Sequence, residues 1–132
     1  MSKVLVVEPD AVLAKIYSQA IMASGHQVMT ASNAQTAIDA ADKLMPEVVV
    51  LEMQLAGHNG LEFLYEFRSY TDWQKVPVIV HSMVPPSQFI AAAGPMAHLN
   101  IAGYFYKPQI SLSKLIGAVE RLSLLQHSHS SL

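Results

Sequence analysis

Residues 48–60 read VVVLEMQLAGHNG: four successive apolar residues that end in an acid, then a short loop holding Gly57 and Gly60. A run apolar at every position buries both of its faces, which is the pattern of a central strand in a parallel sheet covered on two sides. The same plan recurs along the chain. Short apolar runs at 4–7, 28–31, 78–80 and 104–106 each alternate with a longer stretch of helical spacing, and this alternation predicts five parallel strands joined by crossover helices.

Helical stripes fill the intervals. Leu13, Ile16, Tyr17, Ala20 and Ile21 predict a first helix over 10–24, stopped by Gly25. Ala37, Ile38, Ala41 and Leu44 predict a second, capped by Ser32 or Asn33 and ended by Pro46. Leu61, Leu64, Tyr65 and Phe67 follow Gly60 in a third. Leu112, Leu115, Ile116, Val119 and Leu122 form the last, behind Ser111 or Ser113. Between them, Gly94-Pro95 predicts that the helix within 85–100 is broken or short. Met22, Met29 and Met45 read as core gap-fillers. Residues 1–126 form one domain in this reading, and 127–132, HSHSSL, a solvated polar tail.

Composition narrows the function. The chain has 132 residues, one domain's worth, and 52% hydrophobic residues with a mean hydropathy of +0.29 exclude a disordered chain. Charged residues at 14% fall below the roughly 25% usual for soluble domains, so apolar surface is expected. A net charge of -2 with 8 basic residues leaves no footprint for a nucleic-acid backbone or an anionic membrane. With no cysteine there is no disulfide, thiolate metal site or cysteine nucleophile, which fits the cytoplasm. The apolar run after Lys3 is too short for a signal peptide or a membrane span.

In an open parallel sheet, chemistry gathers at the carboxyl ends of the strands. Those ends carry Glu8-Pro9-Asp10, Glu52, Ser82 and Lys107-Pro108, so acids, a hydroxyl and an ammonium converge on one pocket. This set, with the segments VLVVEPD, VVVLEMQLAGHNG, VPVIVHS and GYFYKP in order, resembles the receiver domain of two-component response regulators, similar to the chemotaxis regulators, over nearly the whole chain. The resemblance implies a flavodoxin-like, doubly wound α/β fold with strand order 2-1-3-4-5 and helices on both faces.

It also implies a site. In the family, two acids after strand one and an aspartate after strand three hold magnesium, and the aspartate takes a phosphoryl group from a histidine kinase. A hydroxyl after strand four and a lysine after strand five bind the phosphoryl oxygens. Carried over, these positions are Glu8, Pro9, Glu52, Ser82 and Lys107, with Tyr104 as the aromatic switch that turns inward when the hydroxyl moves. The resemblance implies further that Lys107 is aimed by a cis bond to Pro108.

Two positions depart from the pattern. Pro9 offers no side-chain ligand, so magnesium would be held weakly by Glu8, Asp10 and Glu52, and Asp10 is better placed to cap the first helix. Glu52 is longer than aspartate by one methylene, about 1.5 Å, and an error near 1 Å in placing reacting groups costs on the order of a hundredfold. The longer arm reaches Lys107 instead. Met83 in place of a small residue narrows the mouth, and Ala56 replaces the loop's usual proline. The expectation is a degenerate receiver, a pseudo-receiver that signals by protein contact, is not an enzyme and needs no cofactor.

Its partner would be a histidine kinase, an output protein or a second copy, met through the fourth helix, fifth strand and last helix, where Leu124 and Leu125 extend beyond the core stripe. A receiver phosphorylated slowly and a small-ligand or nucleotide-binding domain at the same strand ends are the competing readings. The acids of EPDAVL oppose a flavin phosphate. His26, His58, His81 and His98 lie on separate segments and His127 and His129 in the tail, so no histidine metal site is expected.

Overall fold

A computed structural model describes residues 1–55, 59–94 and 99–130, with side chains to residue 127. Expectations for Ala56, Gly57, His58, Pro95, His98 and the side chain of His129 fall outside these. Five strands, β1 (Lys3–Val7), β2 (Gln27–Ala31), β3 (Val48–Leu51), β4 (Val78–Ser82) and β5 (Ile101–Tyr106), form one parallel sheet in the order β2-β1-β3-β4-β5. Among the described residues five α-helices connect and follow them: α1 (Ala11–Ala23), α2 (Ala34–Leu44), α3 (Gly60–Ser69), α4 (Pro86–Ala93) and α5 (Leu112–Ser130).

The two-residue period of the strands divides the core. Leu5, Val7, Val49, Leu51, Val78 and Val80 point to α2, α3 and α4, where Ile38, Leu44, Phe63, Phe67 and Phe89 pack on them. Val4, Val6, Val48, Val50 and Ile79 point the other way, to Tyr17 and Ile21 of α1 and Leu115 and Val119 of α5. Both faces are therefore filled, which is why these runs are apolar throughout. The fold is the flavodoxin-like one expected.

Helix ends follow the side chains available. Asp10 caps α1, accepting the N–H groups of Val12 and Leu13, and Asn33 closes a capping box with Thr36 at α2. Ser111 accepts the Lys114 N–H at the start of α5. The fourth helix is short, eight residues ending before Gly94, whose φ of 80° suits glycine alone.

Several expectations are corrected. Ile16 and Tyr65 are exposed, because Ala14 and Phe63 occupy the inward positions of α1 and α3. Met22 and Met45 are exposed rather than core fillers, Met45 standing past the end of α2 in the left-handed conformation. No peptide bond among the described residues is cis, so the Lys107–Pro108 bond is trans and the lysine is aimed by the short turn Lys107–Gln109. Helix α5 continues through the residues expected to be a tail, to Ser130, and the His127 ring meets the Ser2 hydroxyl at 3.1 Å.

Candidate functional site

Register brings the site together. Val7 pairs with Leu51 and Leu51 with Val80, so the residues after β1 and β3 emerge side by side, with Ser82 at the end of β4 next to them. Glu8, Glu52 and Ser82 are 4%, 3% and 0% exposed. Buried charges persist only where partners replace water. That partner is Lys107, which leaves the end of β5 and places its ammonium 2.6 Å from Glu8 Oε1 and 2.8 Å from Glu52 Oε1.

The remaining donors also converge on Glu52. Its Oε2 accepts the Ser82 hydroxyl and, at 3.1 Å, the Gln54 N–H, while Oε1 accepts the Met83 N–H at 3.2 Å. Glu8 Oε2 accepts the Asp10 N–H at 3.1 Å. Burial alone would raise the Glu52 carboxyl, but hydrogen bonds from Lys107, Ser82 and Gln54 outweigh it and hold it below the ordinary carboxylate value. Burial would lower the Lys107 ammonium, and its bonds to Glu52 and Glu8 hold it above the ordinary lysine value. Both charged forms are favoured.

Ser82 links this cluster to the fourth helix. Its oxygen accepts the Val84 N–H at 3.0 Å, and the Val84 carbonyl accepts the Tyr104 hydroxyl at 2.5 Å. The Tyr104 ring lies half-buried against Phe89, centroids 5.3 Å apart, and burial pushes its hydroxyl up to about 12. Beneath the cluster, His81 meets the edge of Tyr17 at 5.0 Å. Burial, and then the Lys107 charge, push its imidazole down to about 4, so it is neutral. Gly60 closes the other side, for a Cβ there would stand 2.8 Å from both the Glu52 carbonyl oxygen and the Met53 Cα. The start of α3 can approach the end of β3 only through glycine.

Of the residues singled out from the sequence, Glu8, Glu52, Ser82 and Lys107 meet in one network, and Tyr104 joins it through Val84. Asp10 does not: its carboxylate is spent on the α1 cap and is exposed. Pro9 and Pro108 give no side-chain donor. Sequence reasoning missed the N–H groups of Gln54, Met83 and Val84, the packing of Phe89 on Tyr104 and the Tyr17–His81 pair, all of which depend on tertiary placement. Magnesium demands near-octahedral oxygen ligation. Here the facing oxygens of Glu8 and Glu52 are held by an ammonium, and Asp10 points away. The residues as arranged do not fit that ion, and no group of three or more metal-ligating side chains is gathered among the described residues.

Comparison with known proteins agrees with this architecture. Residues 4–120 match the model of the response regulator receiver domain, and the chain belongs to that family. It is 41% identical over 66 residues to the probable transcriptional regulatory protein TcrX of Mycobacterium tuberculosis, covering 50% of this chain and 28% of that protein. It is 32% identical over 92 residues to the transcriptional regulatory protein KdpE of Staphylococcus aureus, covering 70% and 38%. The chain thus spans well under half the length of these relatives. Among solved structures, the non-phosphorylated HemR receiver domain of Leptospira biflexa superposes with a TM-score of 0.80 at 19% identity, covering 92% of this chain and 94% of that one. The chemotaxis response regulator CheY4 of Vibrio cholerae does so at 0.79 and 20%, covering 92% and 98%. No helix among the described residues is long and apolar enough to cross a membrane.

Proposed function

We propose that this receiver domain regulates a partner by protein contact without accepting a phosphoryl group, its site held in one state by Glu52. The observation that carries the reading is that Glu52 already engages Ser82 and Lys107, the two side chains that would bind phosphoryl oxygens. A carboxylate occupying those donors leaves an incoming phosphoryl group neither an acceptor in line nor free positive charge. The inward Tyr104 ring, bonded to Val84, is the arrangement expected when the strand-four hydroxyl is drawn toward the site. Glu52 then takes the place of the phosphoacceptor, Lys107 supplies the positive charge otherwise brought by a metal, and no cofactor or catalytic step is needed.

Incubation with acetyl phosphate or phosphoramidate in magnesium, read by intact mass, should give no adduct. An acid-stable, base-labile adduct of one phosphate would refute the reading and favour a slowly phosphorylated receiver. Glu52→Asp alone should stay inert because Pro9 still withholds a ligand, whereas Glu52→Asp with Pro9→Asp should gain phosphorylation.

The partner in this reading is a protein of a two-component pathway, a histidine kinase or an output protein, and similarity to transcriptional regulatory proteins supports an output in transcriptional control. The net charge of -2 argues against direct nucleic-acid or membrane contact, and the absence of cysteine fits a cytoplasmic protein partner. A second copy docking through α4, β5 and α5 is part of the same reading, resting on the exposed Leu124 and Leu125.

A further inference from the structure

Beside the site, between the end of β3, the start of α3 and the flank of α4, lies a cavity of about 470 Å³. Its walls include Leu55, Leu61, Val84, Phe89 and Ala92, and its polar groups are the side-chain amides of Gln54, Asn59 and Gln88. None of the described residues lining it carries a charge. Asn59 spends its Oδ1 on the Glu62 N–H, which leaves its NH₂ as a donor. The size falls within the roughly 300–1,000 Å³ of small-molecule sites, and apolar walls with a few amides are their usual lining. An ion finds no compensating charge among these described side chains, whereas an uncharged molecule would keep the apolar contact and meet amide donors and acceptors at its edge.

The same walls bear directly on the network around Glu52. Gln54 and Met53 donate their N–H groups to Glu52 and, at 3.4 Å, to Ser82. Val84 holds both the Ser82 oxygen and the Tyr104 hydroxyl, and Phe89 packs on the Tyr104 ring. Anything that presses on Val84 or Phe89 therefore acts on Tyr104. We propose that this cavity binds a small, uncharged, mostly apolar molecule whose presence sets the state of Tyr104. Its role as input in place of phosphorylation rests on the reading of the site given above.

The test titrates the full chain with the neutral probe N-phenyl-1-naphthylamine and its anionic relative 8-anilinonaphthalene-1-sulfonate, read by fluorescence. The neutral probe should saturate at one per chain and bind at least about tenfold more tightly than the anion. Ala92→Trp, which fills the cavity from an exposed position on α4, should weaken it at least about tenfold, while Ala91→Trp, exposed on the same helix and outside the cavity, should not. At saturation the Tyr104 ring resonances of ¹³C-tyrosine-labelled protein should shift. Unsaturable binding, tighter binding of the anion, equal effects of the two tryptophans or an unmoved Tyr104 would each overturn the proposal. So would an affinity that falls as protein concentration rises, which marks a second copy as the occupant. Phosphoryl uptake in the acetyl phosphate assay would strike only the reading of the site, and a failed titration only the cavity.

Discussion

At Glu52 one extra methylene lets a carboxylate on β3 reach donors from β4 and β5 with no added group between them. Lys107→Ala strips Glu8 and Glu52 of their shared cation and Glu52→Ala leaves Lys107 with Glu8 alone, so each should cost about 1 to 3 kcal/mol, more than the 0 to 1 kcal/mol of a surface pair. Urea unfolding measures this, and an unchanged midpoint together with an unmoved Tyr104 would remove the lock. The pH dependence has a definite sign. A carboxyl held below the ordinary 4.5 adds stability above that pH and loses it as pH falls through the folded value. The ammonium held above 10.5 contributes in full below that pH and fades as pH rises through its folded value. His81 acts earlier: the unfolded chain takes up its proton near 6.5 and the folded one only near 4, so stability should begin to fall below 6.5. His81→Phe should flatten that part of the curve, and an unaltered curve would show that the imidazole is not held neutral. The network's four side chains were legible from strand-end position and residue type. So was the direction of Asp10, since a carboxylate just before a helix meets the unpaired N–H groups of its first turn, and it accepts those of Val12 and Leu13.

Among the elements, the β3–α3 junction carries the tightest constraint. A methyl at Gly60 would overlap the backbone of Glu52 and Met53, so Gly60→Ala must push α3 away from β3 or displace the Glu52 carbonyl. A loss on the order of 1–3 kcal/mol is expected, as for other overpacked positions, with altered Tyr104 resonances because Met53 bonds to Ser82. Full stability with an unchanged spectrum would mean that the junction yields freely. Strands and caps were readable because apolar runs, Asn33, Pro46 and Gly94 act locally. Which residues of an apolar helix face inward was not: α1 carries Val12, Ile16 and Met22 outside as well as Tyr17 and Ile21 inside, so its period is blurred. The length of α5 escaped for the opposite reason. Its polar end is helical because Ser2, reached from the far end of the chain, bonds Ser123 at 2.5 Å and His127 at 3.1 Å.

For the whole molecule, that anchorage bears on association. Ser123 is 4% exposed and tied to Ser2, yet the next two residues, Leu124 and Leu125, are 67% and 51% exposed. They are thus presented on a fixed helix rather than a frayed end. Ile90 of α4, at 45%, adds to the apolar surface left uncovered. With only 14% charged residues, the chain has few groups to break up such a surface. A two-fold pair would cover the same leucines on both copies, and each leucine fully buried contributes about 1.5 kcal/mol or more. Self-association at micromolar concentration is therefore expected in light scattering. Leu124→Glu with Leu125→Glu should abolish it without loss of fold, since both side chains stand clear of the core. A wild-type chain that scatters as a monomer, with behaviour unaltered by the two charges, would leave these leucines without a role in assembly.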